Sequence, residues 1–379
     1  MMFNTIFAAL LAVSTGTADF AQPIGTGTAA ATKDAAAFTA FHAKRIYLGD
    51  GTSIEDGVVL VQDGVIVRVG VGLEVPDGAT IIQHDGAISA GLIASRSGDG
   101  AGGELNDGTR KVMPAAQARH AYDPGHAEMK KALEAGITSI VLAPSSTRLI
   151  GGQTAVVKTS GGTVVKASAQ LALGMSSDAL GYSEFPTSFG GAMGELNKQF
   201  SDPKGSVSKA VTGAMPVLMD VNDQAQTMRA IAFAKKYNLK GALCGSYWAE
   251  NIATHVKASG LDVVCTPFDL GDGQRGTRSV LALAKAGVRL GFGLDAPARN
   301  PKSLRLGAAM CVRAGLSADK ARRALTGDAA AIAGVAGRIG RVARGLDADL
   351  VLWSGDPVSL TSSIKAVYIE GGKVFGGTK

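Results

Sequence analysis

Aromatic residues make up only 5% of the 379 residues. That scarcity argues against the stacking platforms that hold single-stranded nucleic acid. Cysteine is nearly absent as well: Cys244, Cys265 and Cys311 have no paired spacing. A structural disulfide and a CxxC zinc module are therefore disfavoured, and Cys244 and Cys265, set in apolar runs, are expected as inert buried thiols. The charge excess is small, with 38 Lys and Arg against 32 Asp and Glu. The basic doublets Lys130-Lys131, Lys235-Lys236 and Arg322-Arg323 each fall on an expected helix, so no basic stripe marks a nucleic-acid footprint. No apolar run is long enough to cross a bilayer. No GxGxxG or P-loop follows any expected strand, which leaves the dinucleotide and nucleoside-triphosphate readings without a phosphate cradle.

What the chain does have is glycine, at 51 residues, and an ordinary globular balance of 46% hydrophobic and 18% charged residues. The length fits one large domain, or a barrel with a small satellite. Residues 1–22 read as an export signal: 6–13 form a short apolar core, followed by small residues with cleavage expected after Ala18 or Ala21. That segment lacks a Lys or Arg before Lys33, and an uncleaved apolar tail is the alternative. Residues 23–37 read as a flexible leader. An exported chain, periplasmic or secreted in a bacterium, is the expected location.

From Phe38 the pattern turns to β. A strand is expected over 38–47, a hairpin over 58–70 about Asp63-Gly64, and a further strand over 79–83 closed by the turn Asp85-Gly86. After Gly91 strands and helices alternate. Strands are expected at 137–143, 216–221, 240–244, 261–266 and 288–294, with helices at 127–135, 225–237, 250–259 and 279–286. Near-continuous apolar strands in β-then-α order point to parallel strands covered by helices. Over about 250 residues that suggests a (β/α)8 TIM-like barrel, with a doubly wound sheet as the alternative. The poorly patterned stretch 182–211 is expected as a long loop over the barrel mouth, with a disordered excursion as the alternative. Helices at 318–325 and 328–334, then strands at 347–353, 364–370 and 373–375, complete the chain.

Several of these stretches resemble the amidohydrolase superfamily. Residues 54–70 resemble its opening strands, as do 75–79 and 90–93. Gly151, Gly152 and Gln153, ahead of 154–158, resemble the GGQ segment of imidazolonepropionase-like members. Residues 293–297 match the strand-eight motif, and 345–352, 355–357 and 371–374 resemble the C-terminal run. The resemblance implies an α/β fold with the barrel at 91–341, inserted in a small composite β-sandwich of 38–90 plus 342–379. It also implies zinc at the strand C-termini and hydrolysis of amide or other C–N bonds, dipeptides included. Gly151, Gly152 and Gln153 would then touch ligand, and Asp295 would bind metal and take the water proton.

The family's metal-binding histidines do not follow. The strand-one pair falls on Arg96 and Gly98, the strand-five histidine on Asp220, and the strand-six histidine on Gly245. Of that ligand set only Asp295 survives, and a lone carboxylate does not hold a catalytic zinc. No metal and no other cofactor is therefore expected. The five histidines are His42, His84, His120, His126 and His255. None is expected at a strand C-terminus, and His120 with His126 is the pair worth testing for metal. Arg96 is expected to stand electrostatically where the metal stood, paired with Asp220, Asp295 or both; a solvent-facing Arg96 is the alternative. Three functions follow. The chain is a pseudoenzyme that binds a small amide or dipeptide-like ligand, or supports a histidine-complete paralogue. Otherwise it is an atypical or metal-free hydrolase with Asp295 as base and Arg96 as electrophile. The third is a structural remnant whose mouth is filled by side chains. A homo-oligomer belongs to the same partner expectations.

Overall fold

The computed structural model describes residues 38–245, 247, 249–268, 271, 274–294 and 300–377. The expected export signal, the leader and Asp295 lie outside these described residues.

Four strands open the chain: β1 (Phe38–Tyr47), β2 (Ser53–Gln62), β3 (Val65–Val71) and β4 (Thr80–Ala90). The hairpin between β2 and β3 turns on Asp63 and Gly64, both at positive φ, 49° and 79°, as a tight two-residue turn requires. Strand β1 pairs antiparallel with β2 and parallel with β4. The strand does not end at Asp85-Gly86: β4 continues past it with a register shift against β1, as a β-bulge gives. Gly86 serves a close approach there: a Cβ on it would lie 2.0 Å from the Trp353 carbonyl oxygen.

Gly91 alone separates β4 from β5 (Leu92–Ser97). A Cβ at Gly91 would lie 1.9 Å from Thr138 Oγ1, so only glycine lets the chain pass from one sheet into the next at this point. Helix α1 (Ala127–Glu134) then leads into β6 (Ile137–Leu142), parallel to β5. The chain next runs through β7 (Ile150–Gln153), β8 (Ala155–Lys158), β9 (Val164–Lys166) and β10 (Leu171–Gly174). Strand β8 is antiparallel to β6, and β7 antiparallel to β10. This corrects the all-parallel expectation. No helix returns the chain between β6 and the continuous stretch β7–β8, so it must run backwards.

The stretch 182–211 is not a long loop. It contains α2 (Phe189–Ser201) and α3 (Gly205–Val211). Ala192, Leu196 and Phe200 recur every four residues and bury one face of α2, and Phe200 packs edge-on to Phe233 with ring centres 4.9 Å apart. Four parallel strands follow with their helices: β11 (Val217–Asp220), α4 (Gln224–Lys236), β12 (Gly241–Cys244), α5 (Ala253–Ser259), β13 (Asp262–Cys265), α6 (Arg275–Ala286) and β14 (Leu290–Phe292). Helices α7 (Ser303–Arg313), α8 (Ala318–Leu325) and α9 (Gly327–Ile332) lead to β15 (Leu350–Trp353), β16 (Ile364–Ile369) and β17 (Gly372–Phe375).

The strands form three sheets among the described residues: seven strands in the order β17-β16-β15-β4-β1-β2-β3, six in the order β14-β13-β12-β11-β10-β7, and four in the order β5-β6-β8-β9. The two chain ends thus share one sheet, through β15 antiparallel to β4. The fold is α/β. Its largest apolar cluster runs from Leu92 and Ile137 through Val217 and Leu243 to Phe292 and Trp353. A buried ion group ties the four-stranded sheet to the chain's last strands. Lys158, fully enclosed, has its Nζ 2.8 Å from Asp347 Oδ2 and donates to Asp349 Oδ2.

Candidate functional site

Strand β5 delivers Arg96 and strand β11 delivers Asp220 at their C-terminal ends. Both strands stop at the same edge because β11 to β14 are parallel, and because Leu294, just past β14, donates its N–H to the Arg96 carbonyl at 2.6 Å. Arg96 Nε lies 3.2 Å from Asp220 Oδ1, with the side chains only 17% and 8% exposed. The two positions at which the family resemblance expects imidazoles therefore hold an ion pair. Cys244 sits beneath it: burial pushes the thiol up strongly, the nearby Arg96 opposes this, and Asp220 adds to it.

Gly245, at the strand-six position, has φ +97°, and a Cβ there would lie 2.2 Å from the Val221 carbonyl oxygen. The backbone has closed over the space that a histidine side chain would need. The described family positions thus hold a guanidinium, a carboxylate paired with it, and two glycines. That set does not fit a catalytic zinc, which takes neutral imidazole, thiolate or free carboxylate donors. Among the described residues no cluster of three His, Cys, Asp or Glu side chains is arranged to hold a metal ion.

Beside the ion pair lies a cavity of about 320 Å³, bounded by the ends of β5 and β6, by Leu294, by residues 98–106 and by the start of α1. Arg96, Asp99, Glu104, Asn106, His126 and Ser145 give it its polar wall. Asp99 is 1% exposed, and neither of its carboxylate oxygens has a hydrogen-bond partner among the described residues. Its own N–H donates to Ser97 Oγ at 2.9 Å. Burial first, then the charge of Glu128, pushes the Asp99 carboxyl up to about 6, against the pull of His126, Lys131 and Ser97. Two wall groups are already engaged. The Asn106 amide exchanges hydrogen bonds with Ser145, Nδ2 donating to Oγ and Oδ1 accepting from N, both at 3.0 Å. His126 caps α1, its Nδ1 accepting from the Glu128 N–H at 3.3 Å.

The other sequence candidates fall elsewhere. Gly151, Gly152 and Gln153 lie buried in β7, and Gln153 Nε2 donates to the Pro114 carbonyl at 3.1 Å. Gly151 packs on Pro144 and Gly152 on the Ala116 backbone, so the three hold the 113–117 segment against the sheet. His120 is exposed on a short 3-10 helix and does not line the cavity that His126 borders. His84 Nε2 bonds the Trp353 carbonyl at 2.8 Å, and His255 is exposed on α5. Asp99 is the residue that sequence reasoning passed over. Its signal was an acidic residue between two glycines just past the first strand of the alternating region.

The amidohydrolase family model matches residues 210–374, and the chain shares its fold with solved amidohydrolases. Among solved structures, it is similar to an amidohydrolase from Thermotoga maritima, with TM-score 0.79 and 24% identity over 89% of this chain and 100% of that one. It also shares the fold of a Xaa-Pro dipeptidase with methionine bound in its active site (TM-score 0.59, 14% identity, 90% and 100% covered). The ochratoxinase of A. niger is a third (TM-score 0.58, 15% identity, 90% and 96% covered). A search of curated protein sequences gives no match.

Proposed function

We propose that this chain has kept the fold of a C–N bond hydrolase and uses its strand-end cavity to bind a small amide or dipeptide-like molecule without hydrolysing it. The observation that carries this reading is the Arg96–Asp220 ion pair at 3.2 Å, standing where the family resemblance expects metal ligands. A guanidinium stays charged throughout the accessible pH range and cannot donate a lone pair to a metal. A dipeptidase with the same fold supports the size and class of the ligand. The cavity volume, about 320 Å³, lies at the lower end for small-molecule sites, and it disfavours a mouth packed shut by side chains.

The scaffold belongs to the same proposal. The four- and six-stranded sheets are read as one (β/α)8-type barrel over 91–341. The Leu294-to-Arg96 hydrogen bond closes one side. On the other, Thr154 joins β7 to β8 and exchanges backbone hydrogen bonds with Ala169 and Gln170 at 2.8 Å. The seven-stranded sheet, formed by 38–90 and 342–379, is read as the composite β-sandwich. Apolar clusters about Phe41 and Leu350 and about Ala40 and Leu60 support its folding over itself. Export through residues 1–22, and support of a histidine-complete paralogue or a second copy, complete the reading.

The test is metal analysis of the purified chain together with hydrolysis assays on Xaa-Pro dipeptides and N-acylated amino acids. The expected result is substoichiometric zinc and no turnover. Stoichiometric zinc with turnover that Asp295→Ala abolishes would overturn the proposal. Turnover without metal, lost in Asp295→Ala, would establish the metal-free hydrolase instead.

A further inference from the structure

Asp99 is the unmet charge of this cavity. A buried carboxylate costs several kcal/mol unless a partner satisfies it, and both Asp99 oxygens lack one among the described residues. The neighbouring wall groups are engaged with each other: Arg96 with Asp220, Asn106 with Ser145, and His126 with the first turn of α1. The second carboxylate on the wall, Glu104, adds negative charge. What would complete this wall is a cation that arrives from outside, carries N–H donors and fits about 320 Å³.

We propose that Asp99 is the anchor for a protonated amine, the ammonium group of a small molecule between an amino acid and a dipeptide in size. This rests on the reading of the cavity as a ligand site and narrows its ligand to a cationic one. An ammonium supplies up to three donors to the two vacant oxygens, and the enclosed setting strengthens each charge-assisted bond. Neutral N-acylated analogues lack the charge and leave the carboxylate unmet, which is the kind of mismatch that discriminates strongly between ligands.

The probes are glycinamide, cationic at neutral pH, and N-acetylglycinamide, its neutral counterpart. Both are titrated by thermal shift and by calorimetry against the full chain and against Asp99→Asn, whose folding is checked by circular dichroism. The expected result is a half-saturating concentration at least tenfold lower for glycinamide than for the acetylated probe, with the preference lost in Asp99→Asn. Three results would overturn the proposal: equal binding of the two probes, an undiminished preference in Asp99→Asn, or no response to glycinamide at tens of millimolar. Equal binding would leave the ligand-site reading standing. Binding of neither probe, with zinc-dependent hydrolysis present, would remove both readings.

Discussion

Replacing Lys158 by methionine removes the charge at the centre of the buried ion group while keeping most of the side chain's volume. Lys158 is fully enclosed, 2.8 Å from Asp347 Oδ2 and bonded to Asp349 Oδ2. The two carboxylates are then left unequally provided for. Asp347 keeps Arg338, whose Nε is 3.0 Å away. Among the described residues Asp349, 3% exposed at the side chain, keeps only the Glu370 N–H at 3.1 Å. Burial already raises the Asp349 carboxyl above the ordinary carboxylate range, with Lys158 holding it down. Breaking one partner of such a pair costs about 3–5 kcal/mol, a large share of the roughly 5–15 kcal/mol of a typical fold. Urea unfolding of Lys158→Met should show a free energy lowered by that amount, read as a lower midpoint with an unchanged slope. The deficit should depend on pH. Without Lys158 the folded-state Asp349 binds its proton more tightly than the unfolded chain does. The deficit therefore grows as pH rises above the parent's own raised value for Asp349, and levels off once pH passes the still higher folded value of the variant. The double variant Lys158→Met with Asp349→Asn should recover more than half of the loss. A loss below about 1 kcal/mol, or one that is flat between pH 5 and 8, would refute the account.

Asp99→Asn should raise stability at pH 7.5. The gap between the ordinary value 3.8 and about 6 corresponds to about 3 kcal/mol, reduced to about 1–2 kcal/mol by water in the open cavity. Because folding raises this pKa, the parent should lose stability as pH climbs from about 4 to about 6, and the variant should not; urea midpoints across that range decide it. Gly245→His should destabilise by at least about 2 kcal/mol without gaining zinc, because its Cβ meets the Val221 carbonyl oxygen at 2.2 Å; a folded, zinc-loaded variant by metal analysis would contradict this. Cys244, Cys265 and Cys311 are all buried, with Cys311 pushed up to about 12 by burial. A maleimide reagent at pH 7 should label none of them until denaturant unfolds the chain, and labelling of the native protein within minutes would show that the core opens locally.

Much of the framework was legible where local pattern and tertiary packing agree. Strand β1 and helix α8 fall where alternation and helical spacing put them, and the Asp63-Gly64 turn joins β2 to β3. The misses share a cause. Gly190, Gly191 and Gly194 obscure the helical stripe of α2, which becomes evident only when Phe200 meets Phe233 and Tyr237. Asp85-Gly86 has turn chemistry, but β4 absorbs it as a register shift against β1 and runs on to pair with β15 over 87–90. In the site, Arg96 and its pairing with Asp220, Asp295 or both could be read from their places at the strand ends, whereas the distance to Asp220 could not.

The run 91–98, set beside the family resemblance, was enough to show that two histidine positions carry other residues. It was also enough to show that Gly91 follows a β region and precedes an alternating one. Composition and spacing likewise determined the α/β class and the absence of a phosphate cradle. Only the tertiary structure decided what these residues do. Gly91 is needed because Thr138, far along the chain, packs against its Cα. Arg96 meets Asp220 because hydrogen-bond register brings two distant strand ends to one edge. Asp99 matters because residues from several separate segments bury it in the wall of one cavity. Burial and long-range proximity are properties of the folded chain, and no local pattern of residue types carries them.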